Sequence, residues 1–279
     1  MSYKRASKEF VKKSMKFTAY LFRGTRIGFI IYLRLLKVLN HSFKNSNIEF
    51  LIKMNPNNFE YLLNLKSKSQ SQQNQDLFVI SELNLVKLPF KGFFVEIGAA
   101  NGINLSNTYL LETEFNWSGI LVEPAIIWHQ ELVKNRPNSI LDFNCAHNSS
   151  GISLNFYQTD IPELSTLKEF SDKDNNVKLR DKRIEYKVKT ITLNDLFIKH
   201  EAPRHINYLS LDTEGSEFDI LNSVNFEIFT FDIITVEHNF TPQRVEIHKL
   251  LTSRGFVRKF EDISGFDDWY VNESIISKP

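Results

Sequence analysis

The pattern of apolar and polar positions along the chain changes near residue 92. Beyond that point, short apolar runs typical of buried strands alternate with stretches whose apolar residues recur at helical spacing. The predicted strands are residues 92–99, 119–123, 139–146, 152–157, 186–192, 206–212, 231–237, 256–260 and 269–271. The predicted helices are residues 103–113, 126–135, 193–200 and 217–224, and one that begins at Pro242 and is capped by Gly255. This alternation predicts an α/β fold with a mostly parallel sheet and helices on both faces.

The first 70 residues differ from the rest in charge and in pattern. Residues 1–60 carry twelve Lys and Arg against three Asp and Glu, whereas the remainder is acidic, so the net charge of +1 hides an asymmetry. Residues 66–75, KSKSQSQQNQ, contain no apolar residue and mark a boundary. The sequence therefore predicts a basic helical extension over residues 1–70 and an α/β domain over residues 71–279.

Residues 19–39 are predicted to form a helix with a basic face. Arg23, Arg26, Arg34 and Lys37 fall within an arc of about 80° on a helical projection. The favoured interpretation is a helix that packs on the α/β domain with this face in solvent. A peripheral contact with an anionic membrane surface through residues 19–39 is the alternative.

Composition restricts the class of protein and its compartment. Hydrophobic residues make up 42% and charged residues 24%, and the single cysteine, Cys145, excludes a disulfide scaffold and a cysteine-rich zinc site. The longest apolar run, residues 27–33, is much shorter than the roughly 20 residues of a spanning helix, and no secretory cleavage pattern follows it. We therefore expect a cytoplasmic protein, with contact at the inner membrane face as the alternative. The acidic α/β domain argues against a nucleic-acid partner.

A glycine-framed turn follows the first predicted strand, in the sequence VEIGAANG at residues 95–102. Gly98 and Gly102 would let a ligand approach the backbone closely, in a G-x-x-x-G spacing that differs from the G-x-G-x-x-G of dinucleotide sites. Glu96 brings a carboxylate near this turn, which disfavours a pyrophosphate and favours a cationic amino-acid group or sulfonium. Glu123 ends the next strand, and an acidic residue at about this distance beyond a glycine turn can bind both hydroxyls of an adenosine ribose.

Polar and small residues also follow the third predicted strand. Asn144 could hydrogen-bond to an adenine edge, and Cys145 and Ala146 are small enough to lie beside the ring. A packed strand end with no ligand would produce the same sequence, so both interpretations stay open.

Carboxylates cluster after the strand at residues 206–212. Asp212, Glu214 and Glu217 lie close together in the sequence, which is costly unless the charges are paired, bound to a cation or solvated. Glu237 and His238 end the strand that follows, and a parallel sheet would bring them beside Asp212. These three residues, Asp212, Glu237 and His238, could hold a divalent cation such as Mg²⁺. Alternatively, Asp212 or His238 could act as a general base. Asp212, Glu237 and His238 are therefore the predicted catalytic residues.

The domain contains six short motifs in a specific order and spacing. They are VEIGAANG (95–102), LSNTYLLE (105–112), WSGILVEP (117–124), TITLNDLF (190–197), DTEGSEFDIL (212–221) and VEHN (236–239). In this order they resemble the FkbM-type S-adenosylmethionine-dependent methyltransferases over roughly residues 72–272. The resemblance implies a Rossmann-like methyltransferase fold with a seven-stranded sheet. It also implies S-adenosylmethionine as the cofactor and O-methylation of a hydroxyl on a sugar, a glycan or a related natural product.

The resemblance also implies roles for individual residues. The residues implied for the cofactor are Glu96, Gly98, Ala99, Asn101 and Gly102 at the methionine end, Glu123 at the ribose, and Asn144 and Ala146 at the adenine. Asp212 would stand near the reactive methyl group. Asn101 occupies a position where many relatives carry an acidic residue. The expected partner is a small-molecule or glycan acceptor.

Three other functions remain open from the sequence. A nicotinamide-dependent oxidoreductase would share the fold and the ribose carboxylate, but the glycine spacing disfavours it. Nucleic-acid methylation is disfavoured by the acidic domain and by the lack of an Asn/Asp-Pro-Pro-Tyr-like strand end. A non-catalytic FkbM-like binding or trafficking module is the main alternative. The presence together of Glu96, Gly98, Gly102, Glu123 and Asp212 favours retained cofactor binding.

Overall fold

The computed structural model describes residues 46–55, 57–174 and 176–276. These residues fall into two compact units, one that ends at Leu65 and one that begins at Lys66. The basic helix expected at residues 19–39, and with it the expected membrane contact, lies outside the described residues and stays a prediction. The predicted domain boundary at residue 70 also stays a prediction. None of the helices in the described part of the chain is long and apolar enough to cross a membrane.

The first unit contributes helix α1 (Ser46–Met54) and all but the last residue of helix α2 (Phe59–Lys66) to the described structure. The helices of the second unit are α3 (Gln75–Glu82), α4 (Tyr109–Phe115), α5 (Ile126–Asn135), α6 (Leu193–Lys199), α7 (Glu217–Asn222), α8 (Gln243–Ser253) and α9 (Glu273–Ile276). Its strands are β1 (Phe93–Ile97), β2 (Ser118–Val122), β3 (Ile140–Asp142), β4 (Cys145–Ala146), β5 (Ser153–Thr159), β6 (Thr166–Leu167), β7 (Arg183–Ile191), β8 (His205–Leu211), β9 (Thr230–Glu237), β10 (Phe256–Lys259) and β11 (Asp267–Asn272).

Seven of the strands form one twisted sheet in the order β10-β11-β9-β8-β1-β2-β3. All neighbours are parallel except β11, which is antiparallel to both β9 and β10. The central strands are buried along most of their length, as expected for parallel strands covered on both faces, and Val95, Leu209 and Ile234 are fully buried. The predicted seven-stranded, mostly parallel sheet is confirmed. Its strand order reverses at β1, so the carboxyl ends of β1 and β8 border a crevice that can receive a ligand.

A smaller sheet forms from the strands between β3 and α6, in the order β4-β7-β5-β6. Its apolar face has a cluster of its own, in which Cys145, Phe156, Leu167, Phe170 and Val188 pack together. Short 3-10 turns at Pro162–Leu164, Lys168–Phe170 and Val177–Arg180 join β5 to β7. The described residues between the predicted strands at 152–157 and 186–192 therefore belong to this smaller sheet and its connections.

Two predicted elements differ most in extent from the structure, and a side chain explains each of these differences. The helix expected at residues 103–113 begins only at Tyr109, because the buried carboxylate of Glu96 accepts hydrogen bonds from the Asn107 backbone and the Ser106 hydroxyl and holds this stretch as a loop. The strand expected at residues 139–146 is split into β3 and β4. Asp142 Oδ1 accepts from the backbone N–H of Asn144, which bends the chain and sends its two halves into different sheets.

Candidate functional site

A pocket of about 350 Å³ lies at the carboxyl ends of the central strands. The residues that immediately follow or end those strands line it: Gly98 after β1, Glu123 after β2, Asp212 after β8 and Glu237 at the end of β9. A volume near 350 Å³ lies within the range of roughly 300–1,000 Å³ typical of small-molecule sites. Residues far apart in sequence therefore share one cavity, where the strand ends predicted it.

Gly98 allows β1 and β8 to end close together. Its φ of +84° is a left-handed conformation, and a Cβ atom there would lie 1.9 Å from the backbone oxygen of Asp212. The neighbouring residue Ala99 also lines the pocket, and its N–H donates to the Val122 oxygen. Glycine is therefore required at position 98, because the turn after β1 passes too close to the backbone of Asp212 to leave room for a side chain.

Glu96 lines the pocket but holds the adjacent loop with its carboxylate. It accepts hydrogen bonds from Ser106 Oγ at 2.9 Å, Asn107 N at 2.6 Å and Thr108 Oγ1 at 2.6 Å, and lies 4.0 Å from an Arg136 nitrogen. Burial raises the pKa of Glu96, and Arg136 opposes that shift. The carboxylate therefore organises residues 106–108 beside the pocket, in addition to any contact with a ligand.

Asn101 and Gly102 do not line the pocket. Asn101 Oδ1 accepts from the backbone N–H groups of Ile103 and Asn104, so its side chain closes the turn. A Cβ atom at Gly102 would lie 2.6 Å from Arg136 Cγ, so this glycine serves close packing against α5 and the residue that follows it. Asn101 and Gly102 thus determine the conformation and packing of the turn, and the structure does not place either of them in the lining of the pocket, where a cofactor contact was expected.

Glu123 lines the pocket with both carboxylate oxygens already oriented. Oε2 accepts from the N–H of Ala100 at 2.8 Å, and Oε1 accepts from the N–H of Ala125 at 2.7 Å. Each oxygen can accept a further hydrogen bond, so two hydroxyls of a ligand could bind to the same carboxylate. Burial raises the pKa of Glu123 to about 7, although these two backbone donors oppose the shift.

One wall of the pocket is apolar. Trp128, Cys145, Ala146, Phe156 and Leu167 line it, and four of these belong to or pack against the core of the smaller sheet. The wall suits a flat heteroaromatic ring. Ala146, which the sequence predicts to lie beside an adenine ring, is part of this wall.

Asn144 does not line this pocket. Its side-chain Nδ2 donates to Asp142 Oδ1 at 2.7 Å, and its backbone N–H donates to the same oxygen. The amide is thereby held toward Asp142, so the expected hydrogen bond from Asn144 to an adenine edge has no support in this arrangement.

Three carboxylates from neighbouring strand ends form the acidic end of the pocket. One oxygen each from Asp212, Glu214 and Glu237 lie within 4.8 Å of one another. Burial, followed by repulsion from a neighbouring carboxylate, raises the pKa of Asp212 to about 7 and that of Glu214 to about 9. Burial raises the pKa of Glu237 well above its usual range in the same way. Arg180 lies 2.8 Å from Glu214 and offsets part of the charge.

His238 does not join this group, which corrects the prediction of His238 as a base or ligand. Its Nδ1 accepts from the N–H of Phe240 at 3.0 Å, and its Nε2 lies 3.7 Å from Asp268 Oδ1. Along β9 the side chains alternate between faces, so Glu237 points into the pocket and the next residue does not. Glu214 takes the place that the sequence assigned to His238, because the turn after β8 brings it back to the strand end.

The residues that cover the pocket were missed from the sequence. They are Pro162, Glu163, Leu164, Ser165, Leu167 and Asn176, all in the connection between β5 and β7, which we call the roof segment (residues 160–182). This stretch is polar and without helical or strand periodicity, so the pattern offered no sign that it folds over the strand ends. Its one sequence signal was length, since a loop of more than about 15 residues without its own structure is often functional.

The buried carboxyls predict how the stability of the protein depends on pH. In the folded state the pKa values of Asp212, Asp267 and Glu214 lie at about 7, 8 and 9, whereas such groups titrate near 4 in an unfolded chain. The unfolded state loses these protons first, so the free energy of unfolding falls as the pH rises from about 5 and levels off above about 9. We expect the melting temperature in low salt without divalent cations to fall by about 5 °C or more between pH 5.5 and 9. A constant or rising value would mean that these groups are already charged in the folded protein.

The charges around the pocket restrict its ligand. Among the described residues that line it, six are carboxylates, Glu96, Glu123, Glu163, Asp212, Glu214 and Glu237, and none is lysine, arginine or histidine. Such a lining offers a phosphate no counter-charge, whereas a positively charged ligand would favour the ionised form of these acidic groups, so the pocket favours polar ligands that are neutral or positively charged. The fold and the site thus define an α/β protein with an acidic small-molecule pocket at the carboxyl ends of its parallel strands.

The chain belongs to the FkbM methyltransferase domain family. The family model described as the methyltransferase FkbM domain matches residues 96–258, which is more than half of the chain and includes the strand ends that line the pocket. Membership supports a methyltransferase that uses S-adenosylmethionine. A search of the curated proteins finds no match.

Several solved structures are similar to this chain at low sequence identity. An FkbM methyltransferase from Methylobacillus flagellatus is 10% identical, with a TM-score of 0.41, over 77% of this chain and 58% of that protein. A caffeoyl-CoA O-methyltransferase homologue from Staphylococcus aureus is 10% identical over 86% and 98% of the two chains, with a TM-score of 0.38. Aeropyrum pernix fibrillarin, solved with natively bound S-adenosyl-L-methionine, is 14% identical over 71% and 76%, with a TM-score of 0.35. The chain spans little more than half of the Methylobacillus protein, and similarities this low say nothing about substrate.

Proposed function

We propose that this protein transfers a methyl group from S-adenosylmethionine to a hydroxyl of a sugar, a glycan or a related natural product. The observation that carries the proposal is the lining of the pocket, which combines six carboxylates, no basic side chain among the described residues and one apolar wall. The cofactor has a sulfonium and an ammonium group at one end and an adenine ring at the other. A nicotinamide dinucleotide, by contrast, would bring a pyrophosphate into this acidic pocket.

The residues of the pocket fit the parts of this cofactor. Glu123 would bind the ribose hydroxyls, and the wall around Trp128 and Ala146 would contact the adenine ring. The turn at Gly98 and Ala99, where a side chain is excluded or small, would leave room for the methionine portion. When bound, the cofactor supplies an activated methyl group, so the chain mainly has to align the acceptor and exclude water.

Asp212 is the residue that we propose for acceptor activation. The acceptor oxygen forms a bond to the methyl carbon as the sulfur–methyl bond breaks, the sulfur keeps the electron pair and becomes a neutral thioether, and the hydroxyl proton departs. A base in contact with that proton typically contributes about 10²–10⁴-fold. Asp212 could take the proton itself, or it could bind a divalent cation that lowers the pKa of the hydroxyl.

The acceptor is proposed to be uncharged where it enters the pocket. A phosphorylated sugar or a nucleic acid would bring anionic groups toward the carboxylates of Glu163, Asp212 and Glu214. A neutral sugar hydroxyl meets no such repulsion, and carboxylates are good acceptors for neighbouring hydroxyl groups. This supports a neutral sugar or glycan and argues against nucleic-acid methylation.

Replacing Glu123 by glutamine is expected to weaken the binding of S-adenosylhomocysteine about tenfold, measured by calorimetry. The substitution keeps the size of the side chain but replaces one charged acceptor oxygen by an amide, and hydrogen bonds to charged acceptors are stronger by about 1–2 kcal/mol. Glu227→Gln is the control, because Glu227 is exposed and does not line the pocket. Its affinity should match that of the unmodified protein.

The enzymatic part of the proposal is tested with a panel of neutral monosaccharides and short glycans. Incubation with S-adenosylmethionine should yield an acceptor heavier by one methylene unit in the mass spectrum. No heat with S-adenosylhomocysteine at millimolar concentration would overturn the proposal and favour a binding module. Binding without methylation of any neutral acceptor would leave the cofactor site standing and reject the proposed acceptor class.

A further inference from the structure

The acidic end of the pocket has the dimensions of a cation site. One oxygen each from Asp212, Glu214 and Glu237 lie within 4.8 Å of one another. Three atoms at such separations share a point that is at most about 2.8 Å from each, close to the 2.0–2.6 Å at which carboxylate oxygens bind Mg²⁺ or Ca²⁺. A small cation could therefore contact all three without a rearrangement of the backbone.

Glu237 provides an independent indication of a missing partner. Its side chain is 7% exposed and lines the pocket, yet Oε2 has no hydrogen-bond partner among the described residues. A buried carboxylate oxygen in that condition is costly, and native structures satisfy such atoms with a donor, a water or a cation. Glu237 ends β9 and Asp212 directly follows β8, so the side chain with this unpartnered oxygen belongs to the acidic group.

The surrounding positive charge does not neutralise the group. The guanidinium of Arg180 contacts Glu214 at 2.8 Å, but it also forms two hydrogen bonds with Asp174, at 2.6 and 2.7 Å. One positive charge is thus shared by two carboxylates. Asn239 adds only a weak contact to Glu214, at 3.4 Å. Arg180 also has a favourable Coulombic interaction with Glu237, but no cationic side chain of the described residues forms an ion pair within 4.0 Å with Asp212 or Glu237.

We propose that Asp212, Glu214 and Glu237 bind one hard divalent cation, Mg²⁺ or Mn²⁺, and that this cation activates the acceptor hydroxyl. Carboxylate oxygens select hard cations, and three protein ligands leave positions for water and for a hydroxyl. An acceptor hydroxyl bound to the cation would have a lowered pKa, and its proton would leave to solvent as the oxygen is methylated. This role rests on the proposed methyl transfer, whereas binding of the cation does not.

The test titrates the full chain, freed of metal with EDTA and desalted, with Mn²⁺ and follows free Mn²⁺ by electron paramagnetic resonance. We expect one Mn²⁺ per chain, displaced by Mg²⁺, and an affinity that Glu237→Gln and Glu214→Gln each lower at least about tenfold. Glu123→Gln is the matched control, a carboxylate of the same pocket outside the group. It should bind Mn²⁺ within about twofold of the unmodified protein while binding S-adenosylhomocysteine more weakly.

The outcomes separate this site from the cofactor site. Failure to bind Mn²⁺ at millimolar concentration overturns the cation, and Mn²⁺ binding that survives both glutamine substitutions overturns its location. Circular dichroism melting identifies a variant that does not fold, and the other variant then decides. Mn²⁺ binding without S-adenosylhomocysteine binding refutes the proposed methyl transfer but keeps the cation. Methyl transfer that is unchanged by EDTA refutes the role in catalysis and restores Asp212 as the base.

Discussion

Replacing Asp212 by asparagine is expected to lower methyl transfer at least a hundredfold while changing the affinity for S-adenosylhomocysteine less than about threefold. Asparagine keeps the size of the side chain but can neither accept the acceptor proton nor offer an anionic ligand to a cation. The adenosine portion of the cofactor, which Glu123 and the apolar wall are proposed to bind, is not touched. Initial rates on the best neutral acceptor of the panel, together with calorimetry, measure both quantities.

The control for this substitution is Glu227→Gln, which removes a carboxylate from an exposed position outside the pocket and should leave the rate unchanged. Normal turnover by the Asp212→Asn variant would show that the acidic end of the pocket is not where the acceptor reacts. An equal loss of rate and of S-adenosylhomocysteine affinity would instead place Asp212 in cofactor binding.

Replacing Arg180 by methionine is expected to destabilise the protein by about 3–5 kcal/mol, because it leaves buried carboxylates without their counter-charge. Arg180 is 1% exposed. It donates to the backbone oxygens of Leu164 and Ser171 in the roof segment and pairs with Glu214 in the pocket. The guanidinium of Arg180 therefore links the roof segment to Glu214, which lines the pocket.

The measured result for this variant should be a melting temperature lower by about 6–20 °C, with faster proteolytic cleavage within the roof segment. Lys178→Met is the matched control, since Lys178 lies in the same 3-10 turn but is exposed. If Arg180→Met melts like this control and resists protease equally, then the roof segment is held by its apolar contacts, and the buried ion pairs contribute little.

The strand ends show how far a sequence can lead to a site. Because the carboxyl ends of parallel strands meet at one edge, Gly98, Glu123, Asp212 and Glu237 could be placed together before any coordinates, and the structure has them all in one pocket. His238 was misplaced for a local reason. Adjacent side chains on a strand point to opposite faces, and the sequence alone does not say which of the pair faces the crevice.

The turn after β1 illustrates a different failure. Asn101 and Gly102 were assigned to the cofactor because they belong to a short motif, yet their side-chain volumes and hydrogen bonds serve the turn itself and its packing against Arg136. A motif identifies positions at which only certain residue types are tolerated. It does not distinguish residues that touch a ligand from residues that give the touching backbone its conformation.

The local sequence pattern accounts for most of the strands and helices of the second unit. The apolar runs, their spacing and the glycines between them determined a mostly parallel sheet and the edge at which the pocket lies, because strand burial and tight turns depend on neighbouring residues. Only the tertiary structure decided which carboxylates converge, that Glu214 joins Asp212 and Glu237, and that a polar segment 160–182 covers them through Arg180. Apart from that of Asp212 with Glu214, those contacts join residues at least 16 positions apart, and their energies arise from burial and from the spatial proximity of charges, which the periodicity of the sequence does not show.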